Sequence, residues 1–111
     1  MVARNDSAME ITDEEFNEII NNSHKLVVAD FFADWCMPCL MLAPVIDELA
    51  DKMKEVKFVK INTDENPALS SKYKISAIPC LIIFKDGKEV DRIIGGQTGD
   101  VIEDKLKEYL E

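Results

Sequence analysis

Leu26-Val27-Val28-Ala29-Asp30-Phe31-Phe32-Ala33-Asp34-Trp35-Cys36-Met37-Pro38-Cys39 decides how the rest of the chain is read. Its first eight residues are apolar on both faces except at Asp30, the pattern of a strand covered on both sides in the middle of a sheet. Its end places two cysteines where the strand stops and a helical pattern starts. After Pro38, Met41, Val45, Leu49 and Met53 recur every fourth residue, so a long helix is expected, kinked at Pro44. Residues 57–62 read as a second strand. Strand, helix and strand make a βαβ unit, hence a parallel pair.

Outward from this unit the signals continue. Upstream, Thr12 with Glu15 makes a capping box, and Phe16, Ile19 and Ile20 form one apolar stripe of a first helix. Residues 1–8 are polar and aperiodic and read as a loose tail, leaving 9–111 as the domain. Downstream, Asn66-Pro67 supplies the cap and first residue of a short helix to about Tyr73. Residues 80–84 and 89–94 read as strands about Lys85-Asp86-Gly87-Lys88, where Asp86-Gly87 suits a tight hairpin turn. Thr98 caps a last helix with Ile102, Leu106 and Tyr109 on one side and Lys105 and Lys107 near its C-terminal end. The order predicts an α/β domain, a mixed sheet with an antiparallel edge flanked by helices.

A length of 111 residues fits one domain, and 47% hydrophobic content suffices for a core, which argues against intrinsic disorder. A formal charge of -9 works against binding nucleic acid, whose affinity comes from Lys and Arg on phosphates. No apolar run approaches the roughly 20 residues that span a bilayer, so no membrane association is expected. The first residues hold no apolar stretch suited to a signal peptide. Three cysteines, an odd number, argue against a secreted disulfide framework. A cytoplasmic protein is the expectation, and its closely spaced cysteines point to metal or redox chemistry.

The setting of Cys36 and Cys39 favours redox chemistry. A sulfur at a helix N-terminus meets unpaired N–H groups and the positive end of the dipole, and both favour thiolate. Cys36 is expected exposed in the loop, and Cys39, one turn in, more shielded. A bridge between them closes a ring of four residues, which the chain-entropy model credits with about 2 kcal/mol, suited to cycling rather than to structure. A metal would need His24 or Cys80 as further ligands. His24 precedes the strand and Cys36 follows it, which holds them some 20 Å apart at about 3.3 Å per residue. No metal site is expected, and His24 reads as a surface residue at a turn.

Residues 30–39, Ala43-Pro44, Lys60-Ile61-Asn62-Thr63-Asp64-Glu65-Asn66-Pro67, Ile78-Pro79 and Phe84-Lys85-Asp86-Gly87 together resemble the thioredoxin family, in its order, from about residue 9 onward. The resemblance implies a five-stranded mixed sheet with four helices. It implies a protein disulfide reductase that works by thiol–disulfide exchange, without a bound cofactor, on disulfide-containing proteins. A separate reductase would supply the electrons, and the protein would act as a monomer. Cys36 resembles the attacking nucleophile and Cys39 the resolving thiol. Asp30 resembles the buried carboxylate that takes the resolving cysteine's proton, and burial should raise its pKa. Read without the family, Asp30 is equally a satisfied polar group near a strand end. Lys60 resembles the lysine beside that carboxylate, or is a lysine snorkelling to the surface. Pro79 resembles the family's cis-proline facing the pair, with Ile78 aligning an incoming peptide. Trp35 resembles the tryptophan beside the pair, although alone it could be a core aromatic. Gly95 resembles the glycine flooring the substrate groove, or is an ordinary strand-end glycine.

Three positions depart from the family pattern. Met37-Pro38 replaces the usual Gly-Pro between the cysteines, and Leu40 the customary lysine. No charge stands between Trp35 and Ile46, so Trp35, Met37, Pro38 and Leu40 suggest an apolar docking surface. Met41 reads as a core residue. Cys80 stands where the family usually has threonine, and the resemblance places it near the pair. It is either a small buried hydrophobe or a regulatory partner for Cys36 in an alternative disulfide. No histidine lies between the cysteines, which favours a reductant over an oxidase or isomerase. A redox-regulated binding module that docks a partner without turnover is the alternative class.

Overall fold

In chain order the computed structural model, which describes residues 8–110, runs β1 (Ala8–Glu10), α1 (Asp13–Asn22), β2 (Leu26–Phe32), α2 (Met37–Lys52), β3 (Val56–Asn62), α3 (Pro67–Lys72), β4 (Cys80–Lys85), β5 (Lys88–Ile94) and α4 (Gly99–Tyr109). The five strands form one sheet in the order β1-β3-β2-β4-β5. β1, β3 and β2 are parallel, β4 pairs antiparallel with β2, and β5 pairs antiparallel with β4. β2 is the central strand, as its two apolar faces require, with six of its seven residues buried.

Side chains alternate across a strand, so the sheet builds two cores. On one face Val28, Phe58, Leu81 and Ile83 pack against Leu42, Ile46 and Leu49 of α2 and Ile102 and Leu106 of α4. On the other, Ala29, Phe31, Val59, Ile61, Ile82 and Phe84 pack against Phe16 and Ile20 of α1 and Leu69 of α3. Phe16, Tyr73 and Phe84 meet there edge to face, with ring centroids 5.4–5.7 Å apart.

The local signals act as read at most ends. The Thr12 side chain accepts from Glu15 N–H while the Glu15 carboxylate accepts from Thr12 N–H, a complete capping box. Asp86 and Gly87 take φ of 54° and 83°, the two positive values that a two-residue hairpin turn needs between Lys85 and Lys88. Thr98 Oγ1 accepts from Val101 N–H at 3.3 Å and caps α4.

Three expectations are corrected. Ala8, assigned to the tail, begins β1, a strand of three residues held by parallel pairing to β3; the remainder of that tail, residues 1–7, lies outside the described residues. The buried stripe of α2 is Cys39, Leu42, Ile46, Leu49 and Ala50, whose steps of three and four follow the 3.6-residue turn. Steps of four alone drift off it, so Met41 lies 70% exposed rather than in the core. Asn66 does not cap α3 with its side chain. Instead its side-chain oxygen accepts from Asp13 N–H at 3.1 Å, at the start of α1, and its amide donates to Asn62 O.

Candidate active site

β2 ends at Phe32, and one short turn later Cys36 caps α2, with backbone φ of -91° and ψ of 107°. Its sulfur accepts from Cys39 N–H at 3.3 Å, so one of the helix's orphan donors is satisfied by the side chain of Cys36 itself. Met37 and Pro38 occupy the first helical positions, where a missing proline N–H costs nothing. Cys36 and Cys39 are joined as a disulfide. Both sulfur-bearing residues are buried, in a small cluster with Ala33, Phe32 and Ile78. The expected exposure of Cys36 is thereby corrected: Ile78 and the turn from β2 close over it, leaving it 5% exposed.

The Ile78–Pro79 peptide bond is cis, in agreement with the resemblance. Ile78 O lies 3.9 Å from Cys36 Sγ. Pro79 O accepts from Gly95 N–H at 2.8 Å, which brings the β5–α4 connection beside the same loop. Gly95 has φ of 89°, a left-handed conformation suited to glycine, and a side chain built on it would meet open space. Cys36, Cys39, Ile78, Pro79 and Gly95 thus converge.

Trp35 is 71% exposed, so it is no core aromatic. Its indole N–H donates to Asp64 Oδ2 at 2.8 Å. Asp64 is presented by the turn after β3, where Asn62 Oδ1 accepts from the N–H groups of Asp64 and Glu65. Sequence reasoning missed both residues. The Asn62-Thr63-Asp64 run carried the signal, since asparagine side chains bond to backbone two residues on. Met37 is 63% and Leu40 51% exposed.

Asp30 is buried on β2, paired across the ladder with Lys60 of β3. Burial raises its pKa from the ordinary 3.8 to about 7, with Lys60 opposing and Asp47 of α2 reinforcing the rise. Oδ1 has no hydrogen-bond partner among the described residues. A carboxylate so placed is neutral below pH 7 and an acceptor of protons above it. Lys60 is half-buried and holds its ammonium 5.9 Å over the Phe32 ring, so it is neither a free surface lysine nor an ion pair with Asp30.

Cys80 is free and buried, and it opens β4 on the face of α1 and α3. It packs in a different cluster from the pair, directly after the cis Ile78–Pro79 bond whose Ile78 O faces Cys36. Burial pushes its thiol up, with the Arg92 side chain opposing. Among the described residues no three His, Cys, Asp or Glu side chains gather to hold a metal ion, and no helix is long and apolar enough to cross a membrane.

The thioredoxin family model matches residues 7–108. Thioredoxin 1 of Nostoc sp. is 42% identical over 105 residues, covering 94% of this chain and 98% of that protein. Thioredoxin 1 of Synechococcus elongatus is 44% identical over 104 residues, covering 93% and 97%. A solved mutant thioredoxin from Halobacterium salinarum superposes with a TM-score of 0.89 at 36% identity, covering 100% of this chain and 97% of that one.

Proposed function

The chain belongs to the thioredoxin family and is a protein disulfide reductase, and on that premise we propose how its residues divide the work. Cys36 is the nucleophile. Its thiolate attacks one sulfur of a substrate disulfide, forming a Cys36–substrate bond and expelling the other substrate sulfur as a thiolate. Cys39 then gives its proton to Asp30 and attacks Cys36 Sγ, releasing the second substrate sulfur. The substrate gains two electrons and ends as a dithiol. The protein loses two and ends as the Cys36–Cys39 disulfide, the state seen here. The observation that carries this assignment is the Cys39 N–H aimed at Cys36 Sγ at the helix N-terminus, a geometry that favours thiolate at position 36.

Asp30 supports the second step because burial places its pKa near that of neutral solution. Lys60 tunes the carboxylate by opposing that rise. Trp35, Met37, Pro38, Ile78, Pro79 and Gly95 form the surface on which the substrate segment rests. The functional unit is a single domain, opening at β1, that works as a monomer in the cytoplasm. It carries electrons from a separate reductase to protein disulfides, a role in cell redox homeostasis, with no bound cofactor of its own. A Cys39→Ser protein should accumulate covalent complexes with disulfide substrates through Cys36. A Cys36→Ser, Cys39→Ser protein should lose all insulin-reducing activity. Full retention of that activity, or no trapped complexes, would count against the assignment. A reduction potential well above about -200 mV would instead indicate an oxidant.

A further inference from the structure

Met37 and Met41 stand one turn apart on α2, at 63% and 70% exposure. With Pro38 and Val45 they form one wall of an apolar groove of about 500 Å³, and Gln97 and Thr98 form the other. No charged residue lines it. Thr98 is fixed by its bond from Val101 N–H, so that wall is set in place. The groove begins at the cysteine pair, because Met37 and Pro38 are the residues between the cysteines. Its far wall continues from Gly95, which is bonded to Pro79 O.

We propose that this groove is a specificity subsite, which receives a large apolar side chain (leucine, methionine or phenylalanine) two residues from the substrate cysteine that Cys36 attacks. The inference rests on the reductase reading of that pair. The geometry selects the position. Met41 lies five residues along the helix from Cys36, about 7.5 Å at 1.5 Å per residue. An extended peptide covers roughly that span in two residues at about 3.3 Å each. Side chains two apart project from the same side of an extended chain, so a cysteine facing Cys36 brings its second neighbour to the groove while the first points away. Methionine walls suit varied apolar shapes, being unbranched and polarizable. A carboxylate would meet no cation in the groove and would have to approach a protein of charge -9.

The test uses symmetric disulfide dimers of Ac-Leu-Gly-Cys-Gly-NH2 and Ac-Gly-Cys-Gly-Leu-NH2, with alanine or glutamate in place of leucine. The rate constant for their reduction by the reduced protein is measured. Leucine should exceed alanine about tenfold in at least one placement, the discrimination expected of a few methylenes in an apolar pocket. Glutamate should fall below alanine. Met41→Glu should erase the leucine preference. Equal rates for leucine and alanine in both placements would overturn the subsite and leave the reductase intact. So would a leucine preference that survives Met41→Glu. A protein dimer dissolved by Met41→Glu would give the groove to a second copy and overturn the proposal too. Failure to reduce any of the peptides would overturn the underlying reductase reading instead.

Discussion

Asp30 and Cys80 sit on neighbouring strands one residue out of step, Asp30 opposite Leu81 and Cys80 opposite Phe31. Both are buried, and burial is the largest cause of the raised pKa of each. Strand alternation sends them to opposite faces. Asp30 faces α2, where Lys60 and Asp47 act on it at a distance and Oδ1 is left without a partner. Cys80 faces the aromatic core beneath α1 and α3, with the Arg92 cation opposing the rise. A thiol there is neutral at ordinary pH and costs little to bury, whereas a carboxylate is neutral only while it holds its proton. One face therefore carries a proton-dependent instability within its core, and the other a thiol that stays neutral.

Three substitutions probe that contrast. Phe16→Ala, in the aromatic core, should cost about 3–5 kcal/mol in urea unfolding, with no dependence on pH between 5 and 8. A loss under about 1 kcal/mol would mean that the aromatic core is not tightly packed. Asp30→Asn should instead stabilise. The folded protein holds Asp30's proton up to about pH 7, while the unfolded chain releases it near 4, so wild-type stability falls as pH rises across that window. The amide removes that slope and should gain about 4 kcal/mol at pH 8, with little gain at pH 4. It should also slow release of substrate from the Cys36 mixed disulfide, by about a hundredfold, in single-turnover measurements. Parallel stability curves for the two proteins would contradict the raised pKa. Cys80→Ser, the smallest change, should cost about 1–2 kcal/mol from a buried hydroxyl and leave disulfide reduction unaltered. Peptide mapping of mildly oxidised wild-type protein should find the Cys36–Cys39 bridge alone. A Cys36–Cys80 bridge would erase the distinction between the faces.

The elements that announce themselves by local chemistry were legible. The capping box at Thr12, the doubly apolar β2, the Asp86-Gly87 turn and the Thr98 cap each act within a short run of sequence, and each is present in the fold. What was not legible depends on distant partners. β1 has three residues and exists only through its ladder to β3. Asn66 reaches Asp13 across 53 positions, so its local promise as a cap for α3 misleads. Met41 fell on the wrong side of α2 because four-residue steps match a helix only over a turn or two. At the active site, residue types and order carried the resemblance, but the burial of Cys36 and the tether of Trp35 to Asp64 come from three-dimensional closure.

The side chain of Cys36 accepts the Cys39 N–H in the way serine or asparagine ordinarily ends a helix. A hydroxyl at that position can make the same bond. A Cys36→Ser chain therefore keeps the start of α2 intact while losing its electrophile and nucleophile together. Such a protein is a folded, inert twin of the enzyme, and any cellular effect it retains belongs to the surface rather than to electron flow.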